Sequence, residues 1–301
     1  MNDRQLKLVG DFLEHLHVER RLSPHTVKSY RRDLACLADY CDEQGIDAWS
    51  DLTVHQVRAF ASRIYAQGLS PRSIQRRLSG LRSFMNYLVR ENRLKVNPAV
   101  DISAPKAART LPNTLDIEQI GRLLETPGDD TVGVRDRAML ELFYSSGLRL
   151  AELVDLDPAD VDLDDGLVRV TGKGRKDRVV PVGRKAGDAL RRWLRVRGEL
   201  AGVGETALFV GVRGGRISPR SVQQRVRHWA GLAGIPQRVY PHLFRHSFAT
   251  HLLESSRDLR GVQELLGHAD ISTTQVYTHL DFQHLAQTYD KAHPRARRQE
   301  K

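Results

Sequence analysis

The sequence predicts a mainly α protein in two parts, an all-helical N-terminal domain and an α+β domain with one small β-hairpin. Three observations carry this expectation. Apolar residues recur at helical spacing through residues 1–105 with no strand signal among them. Period-two alternation occurs in Leu167-Val168-Arg169-Val170 and again in Arg178-Val179-Val180-Pro181-Val182, about a basic glycine-containing turn. Between the two patterns, Asn97-Pro98 through Pro112, with Pro105, Lys106 and Arg109, breaks both periods. A chain of 301 residues accommodates two such cores.

In the first domain the periodicity predicts helices over residues 6–18, 24–43, 54–67 and 71–91, a four- or five-helix unit. Two of them open with Leu-Ser-Pro, at Leu22-Ser23-Pro24 and Leu69-Ser70-Pro71, where serine caps and proline takes the first helical position. Ile217-Ser218-Pro219 repeats the device later, as shared start chemistry and not as an internal repeat. The expected division is a helical domain over 1–105, a basic linker over 106–113 and a second domain over 114–301. In that second domain helices are expected over 117–125 and 134–144, from near Arg149, and over 186–196, 219–230, 241–254 and 259–266.

Composition narrows the partner. Hydrophobic content of 40% and charged content of 28% suit a soluble globular protein, and a formal net charge of +10 favours a polyanion. No apolar run approaches the ~20 residues of a spanning helix. The start Met1-Asn2-Asp3-Arg4 is not a signal peptide, so the expected location is the cytoplasm. Cys36 and Cys41, five apart on a helix, diverge and read as free thiols.

Basic residues crowd the N-terminal helices: Lys28, Arg31 and Arg32 on one, Arg72, Arg76, Arg77 and Arg82 on another. A solvated face is the ordinary explanation of any single charge. Clustered on a domain without acidic compensation, these residues point instead to phosphate contacts on DNA.

The chemistry lies in the second domain, where Arg149, Lys173, His242, Arg245, His268 and Tyr277 follow one another in short motifs. These are Gly147-Leu148-Arg149 with Glu152, Thr171-Gly172-Lys173-Gly174, His242-Leu243-Phe244-Arg245-His246, Leu265-Leu266-Gly267-His268 and Tyr277-Thr278-His279. A phosphodiester under attack gathers negative charge on its non-bridging oxygens and needs preorganised donors there. The planar forks of Arg149 and Arg245 suit that clamp, while Lys173 has a proton to give. Tyr277 is a nucleophile once a base or a positive pocket relieves it of its proton, and His242 and His268 are the candidates for that base.

Spacing supports the set. His242 and Arg245 are three apart on one helix, so both project toward the same phosphate. Ser272-Thr273-Thr274-Gln275 is a capping box that places Tyr277 in the second turn of a helix, while His268 follows the capping Gly267. Each residue also has a bland reading: a lone arginine is usually a surface charge, Tyr277 alone an ordinary phenol, and Lys176 competes with Lys173 in the same turn. His242 and His246 have metal-ligand spacing, but His-Glu-x-x-His is absent and no cysteine is near, so no metal is expected. The ordered joint occurrence removes the coincidence.

At these residues the chain resembles the tyrosine recombinases of the phage integrase family, over nearly its full length and without departure at any of the six positions. Two runs, Leu259-Arg260-Gly261-Val262-Gln263-Glu264-Leu265-Leu266-Gly267-His268 and Thr278-His279-Leu280-Asp281-Phe282-Gln283-His284-Leu285, are similar to one branch of that family in particular. The resemblance implies a SAM-like helical domain and a catalytic domain closing as a C-shaped clamp on duplex DNA. It implies strand cleavage and rejoining through a 3′-phosphotyrosyl bond, with no cofactor, metal or ATP. It further implies a specific recombination site, a sister recombinase in a heterotetramer and resolution of chromosome dimers at cell division, and it leaves open regulation by an ATP-driven DNA translocase. The tail from 281 to 301 carries Phe282, Leu285 and Tyr289 at helical spacing. Such a stripe ordinarily docks on its own domain, and the resemblance implies docking on a neighbouring protomer. Rival readings are another integrase or invertase of the family, a type IB topoisomerase, and a non-catalytic DNA-binding protein.

Overall fold

The computed structural model of the chain describes residues 1–105, 114–172 and 177–256. It forms two compact units, Met1–Thr110 and Leu111–Lys301. The linker 106–113, the hairpin tip 173–176, the expected helix at 259–266 and the tail 281–301 lie outside the described residues.

The first unit is built from α1 (Asp3–Val18), α2 (Pro24–Glu43), α3 (Val54–Ala66) and α4 (Pro71–Arg90). Ile74, Leu78, Leu81, Phe84, Met85 and Leu88 recur every three or four residues along α4 and are all buried. They face Phe12 and Leu16 of α1, Leu34 and Leu37 of α2, and Phe60 and Ile64 of α3 in one core. The Leu-Ser-Pro starts cap as expected, the Ser23 and Ser70 hydroxyls accepting from the amides of Thr26 and Ser73 at 3.3 Å each. One element is additional to the expectation, a 3-10 turn over Trp49–Asp51 too short to show periodicity. It buries Trp49, whose indole N–H donates to the Gln5 carbonyl at 2.9 Å. Cys36 and Cys41 are both free thiols.

In the second unit, α5 (Ile117–Glu125) precedes α6 (Thr131–Ser146), which is buried without a break from residue 138 onward and forms the central post. Short α7 (Leu150–Asp155) leads into an antiparallel sheet in the order β1 (Val161–Asp162), β2 (Leu167–Thr171) and β3 (Asp177–Pro181). The expected hairpin is present, with Val168 opposite Val180 and Val170 opposite Arg178. The two-residue β1 is an addition that alternation could not reveal. Helices α8 (Arg184–Val196), α9 (Pro219–Leu232) and α10 (Pro241–Ser256) complete the unit, and Ser218 caps α9 by accepting from the Ser221 amide at 3.1 Å.

Charge is also used inside this core. Asp136 on α6 is fully buried and accepts from Arg135 at 2.6 and 2.9 Å, from the Trp229 indole at 2.8 Å and from Arg225. Arg135 donates in turn to the Val210 carbonyl at 3.0 Å. A buried carboxylate persists where donors satisfy it, and these tie α6 to α9.

Candidate active site

The site begins where α6 has to stop. Gly147 caps that helix in the left-handed region, φ 58°, and a Cβ there would stand 2.5 Å from the Phe248 ring of α10. Glycine therefore permits both the turn and the close approach. Two residues on, Arg149 is extended and opens α7. Its amide donates to Glu152 Oε2 at 2.8 Å and its guanidinium Nη1 to Glu152 Oε1 at 2.7 Å. The spacing Gly-Leu-Arg-x-x-Glu thus folds the arginine against its own first helical turn.

Glu152 has a second partner, from the sheet. Arg178 of β3 donates to both of its carboxylate oxygens, Nη1 to Oε1 at 2.7 Å and Nη2 to Oε2 at 2.9 Å. Burial by itself pushes the Glu152 carboxyl up. Hydrogen bonds from Arg178 and from the amide and side chain of Arg149 outweigh that effect and hold it at about 2, so it is a carboxylate at any working pH.

Arg245 arrives from α10, 5% exposed, and its Nη1 donates to the Gly147 carbonyl at 2.6 Å. Burial first, and then the positive charges of Arg149 and Arg178, lower its guanidinium to about 10, with Glu152 opposing the shift. Three guanidiniums from three elements therefore share one field around the carboxylate of Glu152. Around them α10 is fixed by the Ser247 hydroxyl, which accepts from the Leu115 amide at 2.9 Å, and by Tyr144, whose hydroxyl lies 2.9 Å from His251 Nδ1.

Of the six residues read from the sequence, the structure brings Arg149 and Arg245 together. His242 stands one turn before Arg245 at the exposed start of α10, its ring 5.0 Å from that of His246. His268 and Tyr277 lie outside the described residues, as does Lys173. The neck of the Lys173 hairpin is described: Thr171 Oγ1 donates to Asp177 Oδ1 at 2.7 Å across it. Arg178 escaped the sequence reading. Its signal was present, because it occupies an inward position in the alternation Arg178, Val180, Val182, where an arginine needs a carboxylate partner.

The first unit requires a correction. The basic face does have acidic compensation, since Asp33, 3% exposed, is held by Arg76 with Nη2 at 2.9 Å and by Arg77 with Nε at 3.3 Å. Arg77 also donates to Cys36 Sγ at 3.0 Å, and Arg82 to the carbonyls of Ala99 and Ile102 at 3.1 and 3.0 Å. Arg76, Arg77 and Arg82 thus make contacts within their own domain, Arg76 with its side chain still 46% exposed, and Lys28, Arg31, Arg32 and Arg72 are exposed as well.

The phage integrase family model matches residues 113–284, and that of the phage integrase N-terminal SAM-like domain matches residues 9–92. The chain is 57% identical over 288 residues to the tyrosine recombinase XerC of Azotobacter vinelandii, covering 95% of this chain and 96% of that protein. It is 54% identical to XerC of Xanthomonas campestris pv. campestris strain B100, covering 98% and 91%. Among solved structures, the XerH site-specific recombinase in a post-cleavage complex with a palindromic difH substrate is similar at a TM-score of 0.71 and 26% identity, covering 90% of this chain and 81% of that one. A lambda integrase dimer on a core site shares the fold, at a TM-score of 0.68 and 16% identity, covering 90% and 98%. With the mainly helical fold, the arginine cluster and both domain models in agreement, the chain belongs to the phage integrase family, among the tyrosine recombinases.

Proposed function

We propose that this protein cleaves and rejoins duplex DNA at a specific site by two transesterifications, as a XerC-type recombinase. Tyr277 Oη attacks the scissile phosphorus, the bond from phosphorus to the 5′ oxygen breaks, and Lys173 delivers a proton to that oxygen. The phenolic proton passes to His242 or His268. Arg149 and Arg245 hold the non-bridging oxygens throughout. A 5′-hydroxyl from the partner duplex then reverses the step, so bond energy is conserved and no ATP is consumed. The observation that carries this reading is the convergence of Arg149 and Arg245 on one site from α7 and α10, which makes a preformed anion clamp.

On the same reading residues 1–105 grip the duplex, 106–113 link, and 114–301 carry the chemistry. High identity to XerC over nearly the whole chain favours pairing with a XerD-like sister recombinase, a role in resolving chromosome dimers at cell division, and a cytoplasmic location. No helix among the described residues is long and apolar enough to cross a membrane. An ATP-driven translocase has no support in these comparisons. Phe282, Leu285 and Tyr289 are the surface proposed to dock on the neighbouring protomer.

Nicked duplexes bearing candidate sites test the proposal, because nicking traps the covalent adduct. The wild-type protein should form an adduct mapping to Tyr277, and Tyr277→Phe should form none while binding DNA with nearly unchanged affinity. An adduct on the Phe variant would refute the nucleophile.

A further inference from the structure

We infer that Arg178 is a positioning residue for the phosphate clamp: from β3 it holds the Glu152 carboxylate, and through that carboxylate it fixes the guanidinium of Arg149. The inference rests on the reading of Arg149 as a phosphate ligand. Three observations support it. Arg178 occupies an inward strand position opposite Val170, where an unpartnered charge would be costly. Both of its terminal nitrogens lie on Glu152, and Glu152 Oε1 is shared with Arg149 Nη1. The shared carboxylate also links two pieces of backbone. Arg178 follows directly on the neck of the hairpin that bears Lys173, and Glu152 lies in the turn that bears Arg149, so a single ion-paired bridge sets β3 and the head of α7 in register.

The arrangement assigns distinct work to each arginine. Arg149 has its side chain 37% exposed, whereas Arg178, at 16%, places both terminal nitrogens on Glu152. The charged groups facing Glu152 are Arg149 from α7, Arg178 from β3 and, farther off, Arg245 from α10. Without Arg178, burial would still press the Glu152 carboxyl upward from its ordinary 4.5, with less to oppose it. A protonated Glu152 accepts from Arg149 less strongly, and the clamp loosens.

The test is the rate of adduct formation on a nicked duplex for the wild type, Arg178→Met, Arg178→Lys, Glu152→Gln and the double variant Glu152→Gln with Arg178→Met. Rates are read between about pH 8 and about pH 5, across the range where a carboxyl released from its partners titrates. Arg178→Met should slow cleavage roughly tenfold to a hundredfold, as does loss of a group that orients a catalytic ligand. The ratio of wild-type to variant rate should widen as pH falls. In the Glu152→Gln background, Arg178→Met should add little and the ratio should be flat with pH. Arg178→Lys, which keeps the charge and loses the fork, should fall between.

A defect constant with pH, or one that adds fully to that of Glu152→Gln, would overturn the inference. If Arg178→Met does not fold, Arg178→Lys and the charge-balanced double variant carry the same comparison. Failure of the underlying reading looks different: the wild type itself would form no adduct, or Tyr277→Phe would form one.

Discussion

Arg245 Nη1 donates to the carbonyl of Gly147 at 2.6 Å, so the arginine of α10 is fastened to the turn that presents Arg149 two residues later. The two halves of the proposed clamp are thereby one structure, joined through the backbone carbonyl of Gly147 and not through side chains alone. Gly147→Ala should disturb it twice, because φ is +58° there and the new methyl would meet Phe248 at 2.5 Å. The left-handed conformation alone costs about 1 kcal/mol for a residue with a side chain. We expect a lowered Tm and slower cleavage, with partial recovery in Gly147→Ala combined with Phe248→Leu. A single variant with wild-type melting and rate would show that the turn relaxes freely.

Arg149→Ala and Arg245→Ala should each slow adduct formation by about 10²–10³, the range for removal of a transition-state donor. Affinity for the duplex should change far less, since many other contacts hold the DNA. A fall of under about tenfold would mean that the arginine merely positions DNA.

How legible this site is in the sequence depends on distance along the chain. Arg149 and Glu152 sit three apart and the serine caps lie beside the helices they start, so local spacing exposes them. Asp33 and Arg76 are 43 residues apart, and Glu152 and Arg178 are 26 apart. On helix α4 nothing local distinguishes a surface arginine from one folded onto a buried carboxylate, which is why its basic face reads as uncompensated, whereas the strand alternation does mark Arg178 as inward while leaving its partner unnamed. The helices are legible because a 3.6-residue apolar period survives over many turns. Trp49–Asp51 and Val161–Asp162 are too short to display any period.

If Lys173 is the proton donor, its loss should matter much less for a 5′-bridging thiol leaving group, whose low pKa needs no proton. Lys176→Ala should show no such selectivity. Equal defects of Lys173→Ala on both substrates would remove it from the acid role.

His251 links stability to pH. Burial lowers its pKa from the ordinary 6.5, and the acidic groups Glu254 and Asp116 with the Leu115 backbone compensate in part. Below 6.5 the unfolded chain takes up a proton that the native chain resists, so stability is lost as pH falls through that value. Urea unfolding at a series of pH values should show the loss, and His251→Gln should reduce its slope. An unchanged slope in the variant would exclude His251 as its source.

The two kinds of basic residue on the first unit should separate by salt. Lys28→Ala or Arg72→Ala removes an exposed charge; if that charge meets a phosphate, the slope of log affinity against log salt should shrink by about 0.9, with stability unchanged. Arg77→Ala removes a partner of buried Asp33 and a donor to Cys36, so it should destabilise the unit by about 1–3 kcal/mol in urea unfolding. Its effect on DNA binding should follow the loss of structure and vanish at low temperature, where the folded fraction recovers. Should Arg77→Ala instead leave stability intact and lower the salt slope as an exposed lysine does, the contact with Asp33 would be incidental and Arg77 would belong with the phosphate-binding residues.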